Sequence, residues 1–264
     1  MTTVLKLGGE LLEDRTAIAA AAASIVGLAK AGPVIVVHGG GRAIDAELKA
    51  RGETPRFVDG LRITDAAALD AVVAVLAGRN NTALVAAIGA AGGRAVGLTG
   101  ADGTIGLAEK APPFATVAGE RVDLGLVGQP VESDPGLLLD LLRLGYVPVI
   151  ASIGVDGTGA LLNVNADTLA GHMAAIVGAD RLVIAGGTPG VLDAEGRTID
   201  VLTEREIDAM TASGAAHSGM IAKLAACRHA LAAGVAAVTV VTGRGGGDYT
   251  IAIGTKIERA EVRA

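Results

Sequence analysis

Val34-Ile35-Val36-Val37-His38-Gly39-Gly40-Gly41 decides how the rest of this chain is read. Residues 34–37 are an apolar, wholly branched run, short enough for a strand buried on both faces of a parallel sheet. The three glycines break it, and 44–51 resumes as a helix. A strand that runs through glycines into a helix is the opening half of a βαβ unit.

Working outward, the same alternation recurs. Residues 4–7, 95–98, 147–151, 182–185, 237–241 and 250–253 read as strands. Residues 17–30, 66–91, 168–177 and 219–233 read as helices, the first by its alanine content. Thr64-Asp65 and Thr203-Glu204-Arg205-Glu206 carry helix-start chemistry, the latter as a capping box. Asp134-Pro135 opens a helix that runs to Leu144, where Gly145 ends it. Residues 105–125, with Pro112-Pro113 and several glycines, read as hairpins or an edge ribbon, and Asp156-Gly157 as a turn. The expected fold is α/β, with a mainly parallel open sheet covered by helices on both faces. Without an internal repeat or long linker, residues 1–264 read as one domain. Its last third, from about residue 176, is able to form a lobe of its own.

Composition excludes several classes. The net charge is −6 without a Lys/Arg cluster, and aromatics are only 2%, so neither a basic stripe nor stacking platforms for nucleic acid are present. Cys227 is the sole cysteine and forms no internal disulfide, which points to a reducing compartment. The apolar run 17–29 is too short to cross a bilayer, and the N-terminus lacks the features of a signal peptide. A cytoplasmic protein with no membrane partner is expected.

Glycine pairs stand where strands give way to the next element: Gly8-Gly9, Gly40-Gly41 (with Gly39) and Gly186-Gly187. Such junctions present backbone N–H groups and a helix N-terminus to anions. Tight turning explains any one of them; three of a kind favour phosphate binding. Neither a P-loop nor a dinucleotide fingerprint accounts for them. Lys6 interrupts an apolar strand, which requires either a charged partner or an edge position from which it reaches water. Lys223 lies in the apolar helix segment 220–226, and in isolation reads as solvent-facing. Arg62 fits either a carboxylate fork or a surface loop. Asn163, Asn165 and Asp167 precede a helix, where capping alone explains them. The four histidines have no metal-ligand spacing, so no metal-binding residues are expected. His38 belongs to its loop and Cys227 to the core.

Taken in order, Lys6-Leu7-Gly8-Gly9, Val37-His38-Gly39-Gly40-Gly41, Gly60-Leu61-Arg62, Asn163-Val164-Asn165-Ala166-Asp167 and Gly219-Met220-Ile221-Ala222-Lys223 resemble the N-acetylglutamate kinases of the amino acid kinase superfamily. The resemblance runs from Val4 to Ile257. It implies a three-layer αβα sandwich, with the acidic substrate on about 1–175 and ATP on about 176–264. It implies that Lys6 and Lys223 neutralise the moving phosphoryl group and that Asp167 orients both. Gly8, Gly9, Gly40 and Gly41 would donate N–H groups to the phosphates, with Gly40 and Gly41 also near the acceptor. Arg62 and Asn163 would clamp the acceptor's α-carboxylate, with Asn165 nearby. The cofactors implied are ATP and Mg²⁺, the ion held mainly by the nucleotide phosphates.

One departure stands out. Gly186-Gly187 replaces the Ser/Thr-Asp pair usual in the nucleotide half, so adenine or ribose contacts are expected to differ. A carrier-linked aminoadipate kinase and a non-catalytic amino-acid or nucleotide binder remain alternatives; the joint presence of Lys6, Asp167 and Lys223 weighs against the binder. Leu69, Val72, Val73 and Leu76 recur at helical spacing on a segment apolar on more than one face, and the resemblance implies a symmetric homodimer built there. Arginine-sensitive relatives carry an extra helix before the first strand. Only Met1-Thr2-Thr3 precede it here, so insensitivity to arginine is expected.

Overall fold

The branched run becomes the second of eight strands in one sheet. The computed structural model describes residues 1–116, 119–212, 218–251 and 253–259. The strands are β1 (Thr3–Leu7), β2 (Val34–His38), β3 (Ala95–Thr99), β4 (Val147–Ala151), β5 (Arg181–Gly186), β6 (Val201–Thr203), β7 (Ala237–Thr242) and β8 (Gly254–Glu258). Their order is β6-β8-β7-β5-β1-β2-β4-β3. Neighbours run parallel except β7 and β8. Among the described residues seven helices pack on the sheet or flank it: α1 (Arg15–Ala31), α2 (Gly41–Ala50), α3 (Ala66–Ala90), α4 (Gly136–Arg143), α5 (Ala166–Ile176), α6 (Glu204–Ala212) and α7 (Ser218–Ala232).

The pleat assigns the faces. Leu5, Leu7, Val34 and Val36 pack with Ile25 of α1 and with Leu84 and Ile88 of α3. Val4, Val37, Ile184 and Val240 pack with Leu169 and Met173 of α5 and Leu224 of α7. Side chains alternate along a strand, so Lys6 shares the face of Val4 and points toward α5 and α7. With β1 between β5 and β2, the edge-strand reading of Lys6 is excluded. Each fully buried Val, Leu or Ile contributes roughly 1.5–3 kcal/mol, so these two apolar layers fix the sheet between its helices.

Most starts and stops follow from local chemistry. Asp14 caps α1, accepting from Ala17 N, and Asp65 caps α3, accepting from Ala68 N. Thr203 and Glu206 exchange the bonds of a capping box. The expected strand at 250–253 does not form: Thr250 and Ile251 lie in a turn, and β8 begins at Gly254. Asp248 Oδ1 accepts from both the backbone and hydroxyl of Thr250, which competes with extended pairing. Residue 252 lies outside the described residues, as do 117 and 118 of the expected ribbon. Around that ribbon a short hairpin pairs Phe114–Ala115 with Arg121–Val122. Val127–Pro130 and Ala108–Lys110 join a second, four-stranded sheet with Ile153–Val155 and Leu161–Val164.

Helix α3 spans 25 residues and has the length and composition to cross a bilayer. Ala71, Val72, Val75, Leu76, Leu84 and Ile88 bury its inner side against the protein, which accounts for its apolarity. The expected interface stripe therefore divides: Val72 and Leu76 are core, while Leu69 and Val73 are half-buried. A π-helical segment, Ala74–Asn80, interrupts α3 and carries Asn80 and Asn81 inward.

Candidate active site

The carboxyl ends of β1, β2 and β5 lie side by side, and each continues into a glycine pair. Gly8-Gly9 follows β1 and Gly40-Gly41 follows β2. Gly186 ends β5, with Gly187 beyond it. The first two loops touch: a Cβ on Gly9 would lie 2.7 Å from Gly40 Cα. Gly40 is confined on its other side by Leu76 and Asn80 of α3. Side chains at these points would force the loops apart.

Lys6 Nζ lies 2.9 Å from Asp167 Oδ1, and both side chains are largely buried. Asp167 stands in the first turn of α5, where the cap is Asn165, whose Oδ1 accepts from Asp167 N and Thr168 N. The capping role is thus real, and it holds Asp167 in place for Lys6. Lys223 of α7 is half-buried. Burial lowers its pKa, opposed by the charge of Asp167 and reinforced by that of Lys6. The two lysines therefore share one field around one carboxylate, and the solvent-facing reading of Lys223 does not hold.

Gly9, Gly40, Gly41, Arg62, Asn163, Asn165, Lys6 and Asp167 line a single cleft of about 280 Å³. Arg62 is held by a two-residue hairpin, Asp59-Gly60, both with positive φ (44° and 77°). This Asp-Gly signal was present in the sequence and specifies the turn. Arg62 Nη2 pairs with Asp45 at 2.7 Å and donates to Gly41 O at 3.1 Å. The guanidinium lies 4.7 Å from the Phe57 ring centroid. Its Nη1 is buried with no hydrogen-bond partner, a donor left for a ligand. Asn163 Nδ2 donates to Thr64 Oγ1 at 3.0 Å, and Asn163 lines the same cleft.

Gly8, Gly186, Gly187 and Lys223 are not in the lining of that cleft. They form a second group beside it with Glu10 and Arg244. A Cβ on Gly186 would lie 3.4 Å from both Lys223 Nζ and Glu10 Oε1, and one on Gly187 would lie 3.3 Å from the Arg244 guanidinium. Sequence reasoning singled out neither Glu10 nor Arg244, nor Asp45, the partner of Arg62, and it read Thr64, the partner of Asn163, only as part of a helix start. Among the described residues no group of three or more His, Cys, Asp or Glu is placed to hold a metal.

His38 and Cys227 are bystanders. His38 Nε2 accepts from Asn81 Nδ2 at 3.1 Å, and that amide also donates to Val149 O at 2.8 Å. Burial keeps the imidazole neutral, with its pKa lowered to about 4. Burial pushes the Cys227 thiol up, so it is an inert core group.

The sequence and the fold have known counterparts. The sequence profile of the amino acid kinase family matches residues 1–242, and the chain belongs to that family. Within it the chain falls among the acetylglutamate kinases. It is 42% identical to the acetylglutamate kinase of Rhizorhabdus wittichii over 249 residues, covering 92% of this chain and 82% of the relative. It is also 42% identical to that of the archaeon Methanoculleus marisnigri, covering 92% and 86%. Among solved structures, smu.665 from Streptococcus mutans superposes with a TM-score of 0.82 at 25% identity, over 97% of this chain and 98% of that one. The carbamate kinase of Giardia shares the fold, with a TM-score of 0.69 at 17% identity, over 97% and 98%.

The lowered pKa of Lys223 yields a test. If charged Lys223 is needed for turnover, kcat falls on the alkaline side with an apparent pKa below the usual lysine value of 10.5. Lys223→Arg, which stays charged, removes that limb at a lower kcat. A limb unchanged in the variant shows that another group titrates.

Proposed function

We propose that this chain transfers the γ-phosphoryl group of ATP to the γ-carboxylate of N-acetyl-L-glutamate, forming an acyl phosphate in arginine biosynthesis. The observation that carries the reading is the cleft itself. It joins an unpartnered, buried guanidinium N–H on Arg62 to the Lys6–Asp167 pair across the touching Gly9 and Gly40 loops. A small molecule with an anion at each end fits that span. Arg62 and Asn163 hold the α-carboxylate end, and the γ-carboxylate lies toward Lys6.

The attacking group needs no general base, since a carboxylate with a pKa near ~4.3 is ionised at pH 7. The protein's work is to bring two anions into line and offset charge on the phosphoryl oxygens. Lys6 does so from the sheet and Lys223 from α7, with Asp167 holding Lys6 in place. Backbone N–H groups of Gly8, Gly9, Gly40 and Gly41 serve the phosphates. A Mg²⁺ ion carried on the nucleotide would supply further positive charge, and the carboxylate of Glu10, beside the Gly8 loop, is an oxygen donor of the type it takes. Residues 1–175 would serve the acceptor and 176–264 the nucleotide, in a cytoplasmic setting.

A coupled ADP-release assay with hydroxylamine trapping tests this. N-acetylglutamate supports turnover and traps as a hydroxamate, whereas glutamate and aminoadipate do so at least roughly tenfold less well, a difference of about 1.4 kcal/mol. Preference for aminoadipate compounds contradicts the assignment.

We infer that the active form is a homodimer in which the half-buried Leu69 and Val73 of α3 meet a second copy. Val73→Glu is expected to halve the mass seen by light scattering while the fold is retained. A folded variant with the mass of the parent dimer removes α3 from the interface.

A further inference from the structure

Glu10 has no part in the phosphate contacts given to the glycine loops. It follows Gly8-Gly9 directly, in the short 3₁₀ turn Gly9–Leu12, and its side chain folds back over the loop it has just left. A Cβ on Gly8 would lie 2.5 Å from both carboxylate oxygens, and one on Gly187 would lie 3.4 Å from Oε1. The carboxylate thus stands between the ends of β1 and β5, where the resemblance routes the phosphate chain of ATP. It makes no hydrogen bond or ion pair among the described residues and acts on Lys223 only through space.

An anion in a polyphosphate site is repelled by its ligand unless a cation lies between them. Lys223 and Arg244 flank the place, but both serve phosphate as readily without a carboxylate near. A hard divalent cation differs: magnesium characteristically takes one or two carboxylates together with phosphate oxygens and waters. Gly186 and Gly187 put no side chain into the space beside Glu10. We propose that Glu10 is a protein ligand of the magnesium ion carried on the bound nucleotide. The assignment rests on the kinase reading. It adds a protein ligand to an ion expected to be held mainly by the nucleotide phosphates, at the same place where Gly186-Gly187 departs from the family pattern.

Calorimetry of ADP binding, with and without Mg²⁺, to the wild type and to Glu10→Gln tests it. The wild type binds Mg·ADP more tightly than metal-free ADP. The variant loses roughly tenfold or more toward Mg·ADP, while metal-free ADP binds as well as before or better. With Mn²⁺ as probe, the electron paramagnetic resonance spectrum of enzyme-bound Mn·ADP changes between the two proteins. If Glu10→Gln tightens ADP equally with and without the ion, the carboxylate merely repels phosphate and the assignment falls. An equal preference for Mg·ADP in both proteins overturns it as well, while the kinase reading stands. A wild type that binds no ADP in any form overturns the kinase reading, and this assignment with it.

Discussion

A lysine in the middle of a central β-strand is the constraint on which this structure turns. Lys6 cannot reach water past a sheet edge, because β5 and β2 pair with β1 on either side, and its largely buried side chain meets only the cleft. Its charge is tolerated because Asp167 lies 2.9 Å away. Removing one member of such a pair leaves an uncompensated buried charge and costs on the order of 3–5 kcal/mol. Yet a well-packed apolar pair in the same place would be as stable or more so, so stability does not explain why charges are there. Their value is electrostatic. In the proposed reaction, a fixed ammonium at the carboxyl edge of a sheet, largely buried, would act on a transferring phosphoryl group far more strongly than it would in solution.

Much of the surrounding architecture serves to hold that pair. The pleat turns Lys6 toward α5 and α7 and away from α1. Asn165 caps α5 so that the next turn presents Asp167, and α7 brings Lys223 into the same field. Strand order does the rest. Because β1 and β2 are neighbours, their glycine loops meet, and in the proposed reading this puts the acceptor side against the phosphate loop. Because β5 lies on the other flank of β1, the proposed nucleotide side adjoins it too, and the two proposed halves share one sheet edge.

The local grammar of the fold was legible in the sequence. The run 147–151 is β4 to the residue, and the capping box at Thr203 and Glu206 forms as written. Where the reading failed, short-range polar chemistry overrode apolar composition: Asp248 bonds Thr250 and turns a promising β-run into a turn. Tertiary facts were not legible. Nothing in the spacing of residues 4–7 separates a central strand from an edge, so the partner of Lys6 was open until the sheet order was known. The resemblance, not periodicity, joined Asp167 to it. Asp45 and Arg244 were invisible because a single charged residue, on a helix or in a loop, does not announce its partner, and Thr64 was read only as part of a helix start. Asp59-Gly60 did carry a signal, a two-residue hairpin turn, and it was passed over although it aims Arg62 into the cleft.

The central claim is that the Lys6–Asp167 pair exists for phosphoryl transfer. Asp167→Asn removes the charge while keeping the shape, and its kinetics and thermal stability, measured together, test that claim most directly. The account predicts a folded protein, destabilised by the unpaired Lys6, with kcat lower by roughly two decades or more and a much smaller change in the KM for the acidic substrate. A variant that melts earlier but turns over at nearly the parent rate would contradict it, and would make the pair a structural element alone.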